Sequence, residues 1–230
     1  MASAVVKVNV ISDTVCPWCL VGKKNLEKAA ALLASRSPPV RLDVVYHPFL
    51  LVQPEAWKAF GESAVTTGVD KKAFYDQRFG KDKWKTFMPR LQQAMSEAGV
   101  VGFNMDGKTG PTVDSHRLLA RAYELHGGEK QSQLKEELMR SYFLEGKALC
   151  DASVLREAAG RAGLAEMAEE VLSSPVNEKA FAEELKYGRS LGVTGVPHFV
   201  IEGARETVSL GGAQPPEVLA ASILAAAGLQ

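Results

Sequence analysis

The sequence predicts an α/β domain interrupted by a large helical insertion, and three observations in the 230-residue chain predict it. A β-branched segment, a helical segment and a second β segment follow one another near the N-terminus. Two β segments and a helix close the chain. Helical periodicity dominates everything between.

The first segment, "VVKVNVIS" (Val5 to Ser12), is rich in β-branched residues and partly alternates, which suits a strand with at least one buried face. From Pro17 the pattern turns helical: Leu20, Leu26, Ala29, Ala30 and Leu33 recur at three- and four-residue intervals, with Lys23, Lys24, Glu27 and Lys28 elsewhere. "SPP" (Ser37 to Pro39) stops that helix, and "VRLDVVYHPFL" (Val40 to Leu50) predicts a second strand. Strand, helix and strand with short connections form a βαβ unit, whose strands run parallel with a right-handed crossover. From about Gln53 to Tyr187 stretches such as "KKAFYDQRFG", "TFMPRLQQAMSEAG", "VDSHRLLARAYELHG" and "ASVLREAAGRAG" are helical. "PHFVIEG" (Pro197 to Gly203) and "TVSLGG" (Thr207 to Gly212) are close enough to form a hairpin. "PPEVLAASILAAAG" is a last helix with proline at its start, where a missing N–H costs least. The two ends hold roughly 95 residues, a usual size for one domain.

Composition narrows the function. With 46% hydrophobic and 23% charged residues the chain is ordinarily globular, and 27 Lys plus Arg balance 27 Asp plus Glu, so no global field favours nucleic acid or an anionic membrane. The apolar stretch in "MASAVVKVNVISD" is too short, and too interrupted by Lys7 and Asn9, for a secretory signal, and no run reaches transmembrane length. The expectation is a soluble, cytoplasmic protein. Three cysteines are no disulfide scaffold, so a close-spaced pair in a reducing compartment suits metal binding or redox chemistry.

That pair is Cys16 and Cys19 in "CPWC", at the first strand-to-helix turn. If the helix begins near Pro17, Cys16 is its N-cap and Cys19 lies in the first turn. Side chains three apart share a helix face with Cβ atoms about 5–6 Å apart, near the roughly 3.5–4.5 Å of a disulfide. A helix N-terminus stabilises an anion by about 0.3–1 kcal/mol, which favours the thiolate of Cys16 as attacking group. Cys19, deeper in the turn, is the resolving thiol. The chemistry expected is thiol–disulfide exchange through a mixed disulfide on Cys16.

Other readings compete. Zinc needs about four ligands, and one C-x-x-C leaves only Cys150 and four histidines to complete a site. Inert burial of both thiols is a further alternative. "GFNMDGKT" (Gly102 to Thr109) has P-loop spacing, but Gly110-Pro111 follows where a phosphate-binding helix should start, so Lys108 is expected to be a solvated loop residue. Cys150 is expected to be a partly buried structural thiol, with Asp151 or Ser153 capping the next helix. His116 suits a packed or hydrogen-bonded helix position; His47 at a strand end and His126 at a helix C-terminus suit structural roles. Trp18 suits substrate contact. Trp57, Phe60, Phe74, Tyr75, Phe79, Trp84, Phe87 and Met88 are expected in the insertion core or its seam, some walling a groove that faces Cys16. The run "EKQSQLKEELMR" suits a solvated helix face.

The stretches "SDTVCPWC", "SHRLLARAYELHG", "LMRSYFLEGKALCDASVL", "LGVTGVPHFVIEG" and "LGGAQPPEVL" resemble DsbA-type thiol oxidoreductases of the thioredoxin superfamily, FrnE-like branch, over nearly the whole chain. Kappa-class glutathione transferases and 2-hydroxychromene-2-carboxylate isomerases are related members. The resemblance implies a thioredoxin fold with a large α-helical insertion: residues 1–52 and 188–230 thioredoxin-like, residues 53–187 inserted. It implies Cys16 as nucleophile and a cis-proline loop matching "GVPHF", with Pro197 cis and the Val196 backbone pairing with a bound peptide or glutathione by strand addition. Pro17, Trp18, Val196, Pro197 and His198 are then the candidate substrate contacts, His198 also a cation beside the thiols when protonated. Trp18 replaces the histidine of DsbA, so the pair is expected to be less oxidising, between about −120 and −270 mV. The transferases and isomerases carry serine where Cys16 stands, which makes glutathione-dependent transfer or isomerisation the alternative, and a redox-inactive binding or chaperone-like module the second. The expected partners are protein or low-molecular-weight thiols and disulfides, glutathione among them, with no obligatory cofactor or metal.

Overall fold

The two chain ends meet in one mixed sheet. The computed structural model describes residues 4–37 and 39–229, so Pro38 of "SPP" lies outside the described residues. Strand β1 (Ala4–Ser12) lies parallel to β2 (Val40–Pro48), with Val10 opposite Tyr46, and antiparallel to β5 (His198–Glu202), with Val10 opposite Phe199. β5 pairs in turn with β6 (Thr207–Gly211), the predicted hairpin, giving the order β2-β1-β5-β6. β2 stops at Pro48, two residues short of the predicted Leu50.

Alternation decides which face is apolar. Val6, Val8, Val10, Phe199 and Ile201 share one face and bury it against α1 (Pro17–Ala34) and α8 (Pro216–Ala227), which supply Leu26, Ala29, Leu33, Leu219, Ile223 and Ala226. Each fully buried leucine or isoleucine there contributes about 1.5–3 kcal/mol. The other face is crossed by α7 (Glu178–Ser190) and carries a polar chain: Glu184 Oε2 lies 2.6 Å from His47 Nδ1, His47 Nε2 lies 3.0 Å from Asn9 Oδ1, and Asn9 Nδ2 donates to Glu202 Oε1 at 2.8 Å. The hydrogen bond from His47 holds the Glu184 carboxyl below its ordinary range, against the effect of burial. The expected division between residues 187 and 188 falls inside α7.

Between the ends lie α2 (Lys71–Phe79), α3 (Met88–Ala98), α4 (Val113–Phe143), α5 (Ala152–Arg161) and α6 (Ala165–Ser173), with short 3-10 turns and a two-residue ladder of β3 (Val69–Asp70) on β4 (Lys108–Thr109). Two-residue strands are too short to show alternation, so the ladder had no sequence signature. Lys108, exposed on β4, is five residues short of the next helix, and the P-loop spacing has no phosphate-cradling context.

One expectation about α4 is met and one needs correction. The backbone leaves helical geometry at Gly127, whose φ of 77° is open to glycine at little cost, so α4 is two helical stretches joined by a kink and His126 closes the first of them, as expected. The run Glu129 to Arg140 is not a solvated face. Gln131, Leu134, Lys135, Leu138 and Met139 are all buried, on the i, i+3, i+4, i+7, i+8 stripe of one helix side. Gln131 and Lys135 hide that stripe by being polar. The α4 stripe joins Leu91 and Met95 of α3, Leu155 of α5 and Val171 of α6 in a core that also takes in Cys16, Cys19, Leu20 and Val21 of α1.

At the outer edge of β2, Gln131 Oε1 accepts the Tyr46 N–H and Gln131 Nε2 donates to the Tyr46 carbonyl, both at 2.8 Å.

Candidate active site

The turn between β1 and α1 is clamped residue by residue to α4. Ser12 Oγ accepts a hydrogen bond from Lys135 Nζ at 2.7 Å, Asp13 Oδ1 lies 3.3 Å from His116 Nε2, and Thr14 Oγ1 lies 2.8 Å from Ser115 Oγ. All six residues are buried. Asp13 Oδ2 also accepts the Leu51 N–H at 2.8 Å. Burial alone would raise the Asp13 carboxyl, but the hydrogen bond and charge of His116, with two backbone N–H groups, outweigh it and hold it below the ordinary value. The His116 expectation, a hydrogen-bonded helix residue, thus gains a named partner three residues before the motif.

Pro17 opens α1, where its missing N–H is harmless, and Cys16 is the N-cap in an extended conformation with its side chain making no capping bond. Both thiols are free and neighbour each other, and Cys16 Sγ donates to the Val196 carbonyl at 3.6 Å. The Val196–Pro197 peptide is cis. Gly22 lets this loop approach α1: a Cβ there would lie 2.9 Å from Pro197 Cγ and 3.2 Å from Phe199 Cζ.

The two cysteines differ in what lies beneath them. Burial pushes the Cys19 thiol well above its ordinary value and the neighbouring Cys16 adds to this, while the charge of Lys135 works against it. Lys135 is fully buried, donates to Ser12, and lies with Nζ 4.9 Å from the Tyr46 ring centroid. Among the described residues no carboxylate reaches ion-pair distance of it. Burial pulls its ammonium down to about 8, with the charges of Cys19, Asp13 and Cys16 opposing. Sequence patterning missed Lys135 and Asp13. The signal available for Lys135 was its position four residues after Gln131 and one after Leu134, on the apolar stripe.

Cys16 opens into a cavity of about 440 Å³. Pro17, Trp18, Gly195 and Val196 form its rim on the α1 side, and Trp57, Phe74, Tyr75, Phe79 and Phe87 of the insertion face them. Trp57 stacks on Phe74 at 4.8 Å, and Tyr75 and Phe87 each meet Phe79 edge-on. At one wall, beside Tyr75, Tyr142 Oη donates to Thr109 Oγ1 at 3.0 Å. Burial, then the charge of Cys16, pushes the Tyr75 phenol up to about 12, so it stays protonated.

The structure therefore brings together Cys16, Cys19, Pro17, Trp18 and Val196, with Pro197 packed on Gly22 beneath the loop. His198 does not join them. Phe199 and Ile201 of β5 face α1 and α8, so alternation turns His198 to the opposite face, where its Nε2 is 2.7 Å from Ser209 Oγ. Burial also holds its imidazole below the ordinary value, which disfavours the cation once expected beside the thiols. Cys150 is half-buried outside the cavity, with Sγ 3.7 Å from the Ala64 carbonyl and burial pushing the thiol up to about 11; Asp151 caps α5. Among the described residues no cluster of three or more His, Cys, Asp or Glu is placed to hold a metal ion, and no helix is long and apolar enough to cross a membrane.

The sequence matches the DSBA-like thioredoxin domain family over residues 7–224. Among solved structures it is similar to a probable DsbA oxidoreductase from Streptomyces coelicolor, 29% identical over 98% of this chain and 91% of that one, with a TM-score of 0.79. The fold is shared with the cytosolic disulfide reductase DsbM from Pseudomonas aeruginosa with GSH (19% identity, 97% and 100% covered, TM-score 0.57) and with a 2-hydroxychromene-2-carboxylate isomerase (16%, 94% and 94%, TM-score 0.60). No curated protein matches the sequence.

Proposed function

The chain belongs to the DSBA-like thioredoxin domain family, and from that premise we propose that it is a thiol–disulfide oxidoreductase working through Cys16 and Cys19. One observation carries the reading: two free, neighbouring thiols at the first turn of α1, with Cys16 Sγ on the Val196 carbonyl and open to a cavity.

In the reducing direction the Cys16 thiolate attacks a substrate disulfide, forming a mixed disulfide and expelling one substrate thiolate. Cys19 then gives up its proton and attacks Cys16 Sγ. The second substrate thiolate leaves, and the enzyme holds a Cys16–Cys19 disulfide, having delivered two electrons. An external thiol such as glutathione restores the dithiol, and the reverse sequence oxidises a substrate dithiol. The helix N-terminus favours negative charge at Cys16. Lys135 supplies a buried positive charge that opposes the rise of the Cys19 thiol and so favours the Cys19 thiolate at this step. Val196 offers its backbone to the bound substrate, Trp18 and Pro17 its apolar contact. A cytoplasmic setting, with low-molecular-weight thiols as electron source, fits a chain with three free cysteines.

Replacing Cys19 with alanine tests this directly, because the mixed disulfide then cannot resolve and accumulates on Cys16, visible as a mass adduct lost on reduction. Cys16→Ser is expected to bring insulin-disulfide reduction to background. Glutathione conjugation that survives Cys16→Ser would instead support the transferase or isomerase reading, and chain binding without either activity the chaperone-like one.

A further inference from the structure

The cavity over Cys16 has a composition that selects among disulfides. Seven of its lining residues are aromatic, while no Asp, Glu, Lys or His lines it, and its single charged side chain is Arg78. Its polar groups are few and specific: the Tyr75, Tyr142 and Thr109 hydroxyls, the backbone at Gly195 and Val196, and Trp57. The Trp57 indole N–H is buried without a hydrogen-bond partner, a donor that a ligand acceptor would satisfy. Phe79 and Phe87 remain 43% and 39% exposed, so the aromatic lining continues out to solvent. The volume suits one small molecule, near the low end of about 300–1,000 Å³ for ligand sites. Glutathione, with two carboxylates and an ammonium, would find one countercharge there. The larger depression of about 640 Å³ near Lys23 and Arg161 offers no rival, since Lys23, Lys24 and Arg161 are already paired with Glu27, Glu136, Glu137 and Glu157.

We infer that the preferred substrate is a low-molecular-weight aryl disulfide, or the corresponding aryl thiol, whose ring carries a hydrogen-bond acceptor. This rests on the exchange reading above and narrows it. The ring enters between Trp18 and the Trp57–Phe74 wall with a sulfur against Cys16 Sγ. The acceptor meets the Trp57 N–H, and an acidic substituent, where present, meets Arg78. The reaction balances as enzyme dithiol plus ArS–SAr giving enzyme disulfide plus two ArSH: two electrons pass to the substrate sulfurs and both thiol protons end on the products. Continued turnover takes an external thiol reductant.

The test is single-turnover kinetics of the pre-reduced full chain with 4,4′-dithiodipyridine, glutathione disulfide, bis(2-hydroxyethyl) disulfide and insulin. Aryl thiolates are intrinsically better leaving groups. Each rate constant for a small disulfide is therefore divided by that of free dithiothreitol with the same compound. The expected result is a normalised rate at least 10-fold higher for dithiodipyridine than for either aliphatic disulfide. Trp57→Phe, which keeps a ring and removes the N–H, and Phe79→Ser, at an exposed position where folding is not at stake, should each cut that preference about 3-fold or more. Equal normalised rates for the small disulfides, or a preference untouched by both variants, overturn the aryl assignment while leaving exchange intact. No reaction with any of the four disulfides, insulin included, overturns the exchange reading itself.

Discussion

Lys135 is retained where it harms the fold. Its ammonium sits near 8 when folded, against about 10.4 in an unfolded chain. Below pH 8 both states hold the proton and the folded state bears the full cost of burial. Between pH 8 and about 10.4 the unfolded chain holds a proton that the folded protein has released, so the stability attributable to this residue rises with pH. Above that window the cost is gone. The gap of about 2.4 units corresponds to about 3 kcal/mol. Lys135→Met is therefore expected to raise stability at pH 7 by up to about 3 kcal/mol, a gain that shrinks toward pH 10.5, as urea midpoints of both proteins at the two pH values would show. A Met variant less stable at pH 7 would count against this account. The same substitution should lengthen the life of the mixed disulfide, because the Cys19 thiolate loses its countercharge. The cysteine pair was legible because both its spacing and its strand-to-helix context are local. Lys135 was not, since lysine in a charged run looks solvated until the helix phase is set by the partners it packs on. His198 failed for a related reason: sequence adjacency to Pro197 says nothing about which sheet face a side chain takes.

At the scale of elements, α1 serves two surfaces at once. Leu26, Ala29 and Leu33 bind it to the sheet, and Gly22 lets the Val196–Pro197 loop come within reach of Cys16. Gly22→Ala gains up to about 1 kcal/mol of helix propensity but overpacks Pro197 and Phe199 at a cost of about 1–3 kcal/mol. The expected outcome is unchanged or slightly lower stability with exchange slowed several-fold, measured as the insulin-reduction rate beside the urea midpoint. Unaltered exchange would show that the loop has room to spare. The βαβ start, the terminal hairpin and the last helix were legible from periodicity, because each is a regular pattern over several residues. The β3–β4 ladder was too short to leave a pattern. The helix end at His126 was legible from Gly127-Gly128, a stop signal by composition at which the fold kinks α4.

Across the whole molecule the insertion is part of the candidate active site rather than an appendage. It supplies the aromatic wall of the cavity, and through Ser115, His116 and Lys135 it fixes the three residues that lead into the motif. The Gln131 amide has a separate consequence. β2 is a terminal strand of the sheet, and Gln131 occupies the Tyr46 N–H and carbonyl as the backbone of a fifth strand would. A foreign chain seeking to zip onto that margin meets bonds already made, leaving β6 as the other terminal strand. Gln131→Leu should therefore turn a closed seam into a template: about 2–4 kcal/mol of stability lost from two orphaned backbone groups, and light scattering that climbs with protein concentration well before that of the parent.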